Sequence, residues 1–206
     1  MKGDTAGAPA TFSPDGQILA TSGWPGLLWN VARPTPRPAQ LGYLPEYPGS
    51  VNALLFFPDG QTLVSADVKG TMTLWNTANP GHPAHIATIA GSGTSANAGH
   101  AGGVSALAFS PDARVLASGD DSGEVTFWNA ADPARLARIA TLSGTTQAGG
   151  VSALAFSPNG QVLASASHHG TVILRDVTNP AGPVITAVLH LTIPPPVRSL
   201  TSFRPA

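Results

Sequence analysis

Phe12-Ser13-Pro14-Asp15-Gly16 returns as Phe56-Phe57-Pro58-Asp59-Gly60, as Phe109-Ser110-Pro111-Asp112-Ala113 and as Phe156-Ser157-Pro158-Asn159-Gly160, and a broken fifth copy starts at Phe203. A second phrase follows each complete copy: Leu28-Trp29-Asn30, Leu74-Trp75-Asn76, Phe127-Trp128-Asn129 and Leu174-Arg175-Asp176. Recurrence with a period in the forties marks an array of one supersecondary module. The step from Trp75 to Trp128 is longer than its neighbours because residues 90–99, rich in Gly, Ser and Ala, read as a flexible insertion between modules.

The third module shows how each unit is built. Val104-Ser105-Ala106-Leu107-Ala108-Phe109 alternates large and small apolar side chains, as a strand covered on both faces does. Ser110-Pro111-Asp112-Ala113 places Pro where a type I turn needs a fixed φ, and the sister copies put Gly at the fourth position. Val115–Ser118 then reads as a second strand, Asp120-Asp121-Ser122-Gly123 as a turn, and Glu124–Trp128 as a β-branched and aromatic third strand. An Asx-x-x-x-Pro loop closes each unit, and a fourth strand is expected near 39–44, 84–90, 135–142 and 184–191.

Four short antiparallel strands per unit is the pattern of a propeller blade. The chain resembles the WD-repeat family throughout. The likeness is carried by the Phe-Ser-Pro-Asp-Gly copies, the Leu-Ala-Ser stretches at 116–118 and 163–165, Gly170-Thr171-Val172, the Trp-Asn pairs, and Gly99-His100 ahead of Val104. It implies an all-β fold: a partial WD-repeat-type β-propeller of about four four-stranded antiparallel blades, at about 5–44, 50–91, 103–143 and 150–191, plus an orphan strand at 197–203. Such an arc leaves two apolar sheet faces, so either the sequence is a fragment or a second chain completes the ring.

In well-formed repeats of this family a His, a Ser or Thr, an Asp and the Trp share a hydrogen-bonded network. No unit here is expected to hold all four. The third pairs His100 and Trp128 with Asp120 and Ser122 at the Ser and Asp positions, and the second pairs Trp75 with Asp67 and Lys69. The fourth has Ser167, with Gln147 for the His, His169 for the Asp and Arg175 for the Trp; Asp176 alone keeps the terminal Asp. The first keeps Trp29 but shortens the hairpin from Leu19, and Ala8-Pro9-Ala10 makes a poor innermost strand. Each lost partner removes about 1 kcal/mol.

The 206 residues are 42% apolar and only 10% charged, with 10 Lys and Arg against 11 Asp and Glu. No basic stripe exists for a phosphate backbone, so nucleic acid is not the expected partner. The absence of Cys removes disulfides and thiolate metal sites, and no stretch approaches eighteen consecutive apolar residues. The cytosol is the default compartment, and no cofactor is expected. His82-Pro83-Ala84-His85 and His168-His169 lack a third ligand nearby, and Asp120, Asp121 and Glu124 lack the spacing of a calcium loop; each reads as a solvated turn. No nucleophile elbow or phosphate-binding Gly loop is present.

The expected function is therefore a non-catalytic scaffold that holds a protein or peptide, with the turns at Asp120, Asp121, His168 and His169 as candidate partner-facing residues. Two alternatives stand beside it. One is the regulatory fragment of a larger signalling protein, with an NTPase or kinase domain encoded elsewhere. The other is a ligand-binding or hydrolytic propeller, for which the first strands carry few polar groups.

Overall fold

The computed structural model describes residues 9–23, 25–33, 36–45, 50–91, 99–142 and 149–190. Among these residues, sixteen strands form four antiparallel four-stranded sheets, each a meander in chain order. The first holds β1 (Ala10–Phe12), β2 (Ile18–Thr21), β3 (Leu27–Asn30) and β4 (Ala39–Tyr43). The second holds β5 (Val51–Phe56), β6 (Thr62–Asp67), β7 (Met72–Asn76) and β8 (Ala84–Ile89). The third holds β9 (Val104–Phe109), β10 (Val115–Asp120), β11 (Val125–Asn129) and β12 (Ala137–Leu142); the fourth holds β13 (Val151–Phe156), β14 (Val162–Ser167), β15 (Thr171–Asp176) and β16 (Val184–His190). A single 3-10 turn at Pro133–Arg135 is the only helical element among the described residues. The expected strand at 197–203 and the expected role of Gln147 lie outside them.

The hairpins follow from their turn residues. In all four copies the fourth turn residue donates its N–H to the first residue's carbonyl, as from Gly16 to Ser13 at 2.8 Å and from Ala113 to Ser110 at 2.9 Å. That fourth residue sits at positive φ, between 62° and 72°. Glycine tolerates this conformation, whereas Ala113 holds it with a Cβ. The Asp or Asn before it locks the turn: Asp112 Oδ1 accepts from Ser110 Oγ at 2.6 Å and from the Arg114 N–H at 3.1 Å. Pro9 lies just outside β1, where its missing N–H costs nothing and its carbonyl accepts from Ser22.

The first strands β1, β5, β9 and β13 lie side by side in chain order, so the sheets stack as successive blades of a propeller. The core lies between blades. One buried cluster joins Ala20, Leu28 and Leu44 of the first blade to Leu54, Phe56, Leu63 and Trp75 of the second. The next joins Val64, Met72 and Leu74 of the second to Val104, Leu116 and Trp128 of the third. The third cluster joins Ala117, Val125 and Phe127 to Val151, Phe156 and Leu163. The second and third blades thus each have a leading face, packed on the blade before, and a trailing face, packed on the blade after; the first blade packs by its trailing face and the fourth by its leading face. Each fully buried Leu contributes about 1.5–3 kcal/mol relative to exposure.

Every sheet also carries a β-bulge between its third and fourth strands, one step before the Trp or Arg position. The extra residues on the outer strands are Leu41, Ile86, Ile139 and Thr186. The first three turn into the interblade clusters, whereas exposed Thr186 donates its hydroxyl to the Leu174 carbonyl. The repeated phrases contain no hint of this bulge.

Candidate functional site

In the third blade, β11 pairs with β10 so that Trp128 faces Leu116, and its indole reaches diagonally to Ser118. Trp128 Nε1 donates to Ser118 Oγ at 2.7 Å, and His100 Nε2 lies 2.6 Å from the same oxygen. His100 Nδ1 lies 3.2 Å from Asp120 Oδ2 and 3.6 Å from Glu124 Oε1. Because Asp120 can only accept, His100 donates from Nδ1 and accepts the Ser118 proton at Nε2. Asp120 Oδ1 takes further bonds from the Ser122 N–H, the Ser122 hydroxyl and the Glu124 N–H.

This corrects the sequence reading. The third unit holds all four members, with Ser118 and Asp120 in the roles assigned to Asp120 and Ser122. The same two-residue correction applies elsewhere. Trp75 Nε1 donates to Ser65 Oγ at 3.2 Å, and Asp67 accepts the Lys69 and Thr71 N–H groups. In the fourth blade Arg175 donates to Ser165 Oγ at 2.5 Å, and Ser167 takes the Asp position by accepting the Thr171 N–H. His169 is therefore not the Asp equivalent. Even the shortened first blade keeps the bond, from Trp29 Nε1 to Thr21 Oγ1 at 3.0 Å. The signal for it was a constant ten-residue step, Ser65 to Trp75, Ser118 to Trp128 and Ser165 to Arg175.

The terminal Asp proves replaceable by Asn. Asn30, Asn76 and Asn129 each accept the N–H two residues on, as Asp176 does from Thr178. The hydroxyl and N–H of Thr178 hold the Asp176 carboxyl below the usual carboxylate range.

The candidate partner-facing turns separate into two kinds. Asp120 is fully buried and spent on the network above, so it cannot face a partner. Glu124 likewise turns toward His100 and leaves the solvated tip. Asp121, His168 and His169 are exposed. With Val68 and Lys69 of the second blade they form the tips of the hairpins between second and third strands, all at one end of the sheets. These tips are held by backbone: Asp121 N–H donates to Gly103 O, Gly123 N–H to Asp120 O, and Gly170 N–H to Ser167 O. Neighbouring blades touch here through glycine, since a Cβ on Gly103 would fall 2.9 Å from Val68 O and one on Gly150 2.7 Å from Asp121 O.

The opposite end of the sheets carries interblade clefts. A cavity of about 450 Å³ between the third and fourth blades is lined by Pro111, Asp112, Arg114, Asn159 and Gln161; one of about 320 Å³ between the second and third shares Asp112 and Arg114. Of the described residues, one group of three offers metal-ligating atoms within 4.8 Å of one another, His100, Asp120 and Glu124. His100 and Asp120 are committed to the hydrogen bonds above, and Glu124 Oε1 stands at ion-pair distance from His100 Nδ1.

The family model for the WD domain, G-beta repeat, matches residues 40–76, 81–129 and 137–176. The chain belongs to the WD-repeat family. Each matched segment begins at or just ahead of an outer strand and ends on the third strand of the next blade, so one WD repeat ties two blades together. WD repeats are generally protein-interaction scaffolds. No curated protein matches the chain. No described helix is long and apolar enough to cross a membrane.

Proposed function

We propose that this WD-repeat chain is a non-catalytic scaffold that holds a protein or peptide on the face formed by the hairpin tips of Val68, Lys69, Asp121, His168 and His169. One observation supports this reading: exposed side chains of mixed charge stand on turns whose backbones are pinned within and between blades. A surface ordered in advance loses little conformational entropy when it captures a partner. With few charges, recognition there rests on shape and hydrogen bonding more than on long-range steering.

The test uses the chain as immobilised bait, beside a variant carrying Asp121→Lys and His168→Glu. Both sites are exposed, so the variant should melt like the parent. A partner bound by the parent and lost by the variant supports the proposal. Equal binding by both moves the site to another face, and absence of any partner overturns the scaffold reading.

A further inference from the structure

Phe12, Phe56 and Phe156 occupy the same register, each opposite the leucine that begins the second strand's pairing. Phe56 and Phe156 are 4% and 8% exposed, whereas Phe12 is 62% exposed. Leu19 and Trp29 beside it are half-buried, although Leu63, Leu163 and Trp75 at the same positions are fully buried. The leading face of the first blade is therefore a WD interface with nothing described against it.

The trailing face of the fourth blade is its counterpart. Ala153, Ala166 and Val172, with Ala164 and Leu174, form a cluster drawn from that blade alone, while every other cluster joins two blades. Leu189 pairs with Val172 as Ile89 pairs with Met72, yet Leu189 is 49% exposed and Ile89 8%. Both faces belong to a junction that the molecule builds three times internally, always as a leading face on a trailing face.

We propose that the occupant of these faces is a second copy of this chain, joined head to tail. Phe12, Leu19 and Trp29 of one copy pack on Val172, Leu174 and Leu189 of the other, and the reciprocal contact closes a ring of eight blades. The argument is continuity with the interblade junction already described, since each copy carries both complementary halves of it. Propellers of up to about eight blades are geometrically ordinary. A head-to-tail contact that closes on itself also avoids open-ended growth.

The test is light scattering on the full 206-residue chain and on two variants, Phe12→Asp and Leu189→Asp, whose sites are exposed. A particle of twice the 20.8 kDa chain mass is expected for the parent, and single-chain mass for each variant alone. Mixing the two variants should restore a two-chain particle, because one junction then has both native faces; a contact between identical faces would not recover. Thermal melts, and the milder Phe12→Ser and Leu189→Ser, separate loss of assembly from loss of fold. A parent that runs as a single chain at all concentrations, whether the chain's own residues 191–206 or nothing covers the faces, overturns the proposal. So does a two-chain particle indifferent to both substitutions, or an open series of larger assemblies.

Discussion

Ala113 shows how one side chain departs from its sisters at a measurable cost. Three turns of this type place Gly at φ near 70°, and Ala113 adopts 62° with a Cβ. Relief of that strain outweighs the added unfolded-state freedom of glycine, so Ala113→Gly should stabilise by about 0.5 kcal/mol in urea titration. Arg175 departs further, since a guanidinium 3% exposed fills the position of Trp75 and Trp128. Burial pushes its pKa down from the ordinary arginine value. Arg175→Trp should raise stability by about 1–2 kcal/mol, because an indole N–H serves Ser165 without a buried charge. A lower melting temperature in that variant would show that the arginine is better satisfied than its bond to Ser165 indicates. Asp120 adds a pH dependence. Burial opposes its ionisation, but hydrogen bonds from His100, Ser122 and the Glu124 N–H outweigh this and hold its carboxyl below 3.8. Folding thus favours the ionised form, and that stabilisation is present above pH about 4 and lost as pH falls through the lowered value. Between pH 5 and 3 the urea midpoint of the parent should fall more steeply than that of Asp120→Asn.

Strands and turns were legible because their chemistry is local. Pro fixes the first hairpin of each blade, with Gly at its fourth position in all but the third, and β-branched and aromatic residues mark the third strand. The network was misplaced for a physical reason. A slip of one residue turns a strand's side chains to the other face and is easily noticed, but a slip of two leaves the alternation intact. Ser118 and Asp120 both sit on β10 with the same orientation, so the alternation alone did not separate them; the pairing of Leu116 with Trp128, and the ten-residue step from Ser118 to Trp128 that goes with it, does. The bulges were not legible at all, because they depend on how the outer strand meets the third. They carry their own expectation. Ile139→Ala, on an outer strand but turned into the third cluster, should cost about 1–2 kcal/mol in chemical denaturation. Val188→Ala on β16, 44% exposed, should cost under about 0.5 kcal/mol. Equal costs would mean that β16 is covered in solution.

At the scale of the whole molecule, stability is a chain of junctions and not the property of one centre. A repeat array of this kind approximates a sum of unit terms and nearest-neighbour terms. The middle blades are held on both faces, with all six residues of β6 buried, while six of the seven residues of β16 are exposed. In the single-chain Phe12→Asp variant, hydrogen exchange should therefore find β6 and β10 near the global limit and β16 opening at lower free energy. Uniform protection across all four sheets would contradict this. The scaffold reading and the paired-arc reading are independent at this scale, because the hairpin tips lie at one end of the sheets and the open faces on their flanks.

The alternation along β6 makes neighbouring residues answer to different places. Leu63 packs toward the first blade and Val64 toward the third, one peptide bond apart, and Leu116 and Ala117 divide in the same way. A spectroscopic label moved by a single position along the second strand of a blade would therefore change its reporting site from one seam to the next. The molecule carries a built-in address code, in which odd and even positions name separate seams that can be watched one at a time.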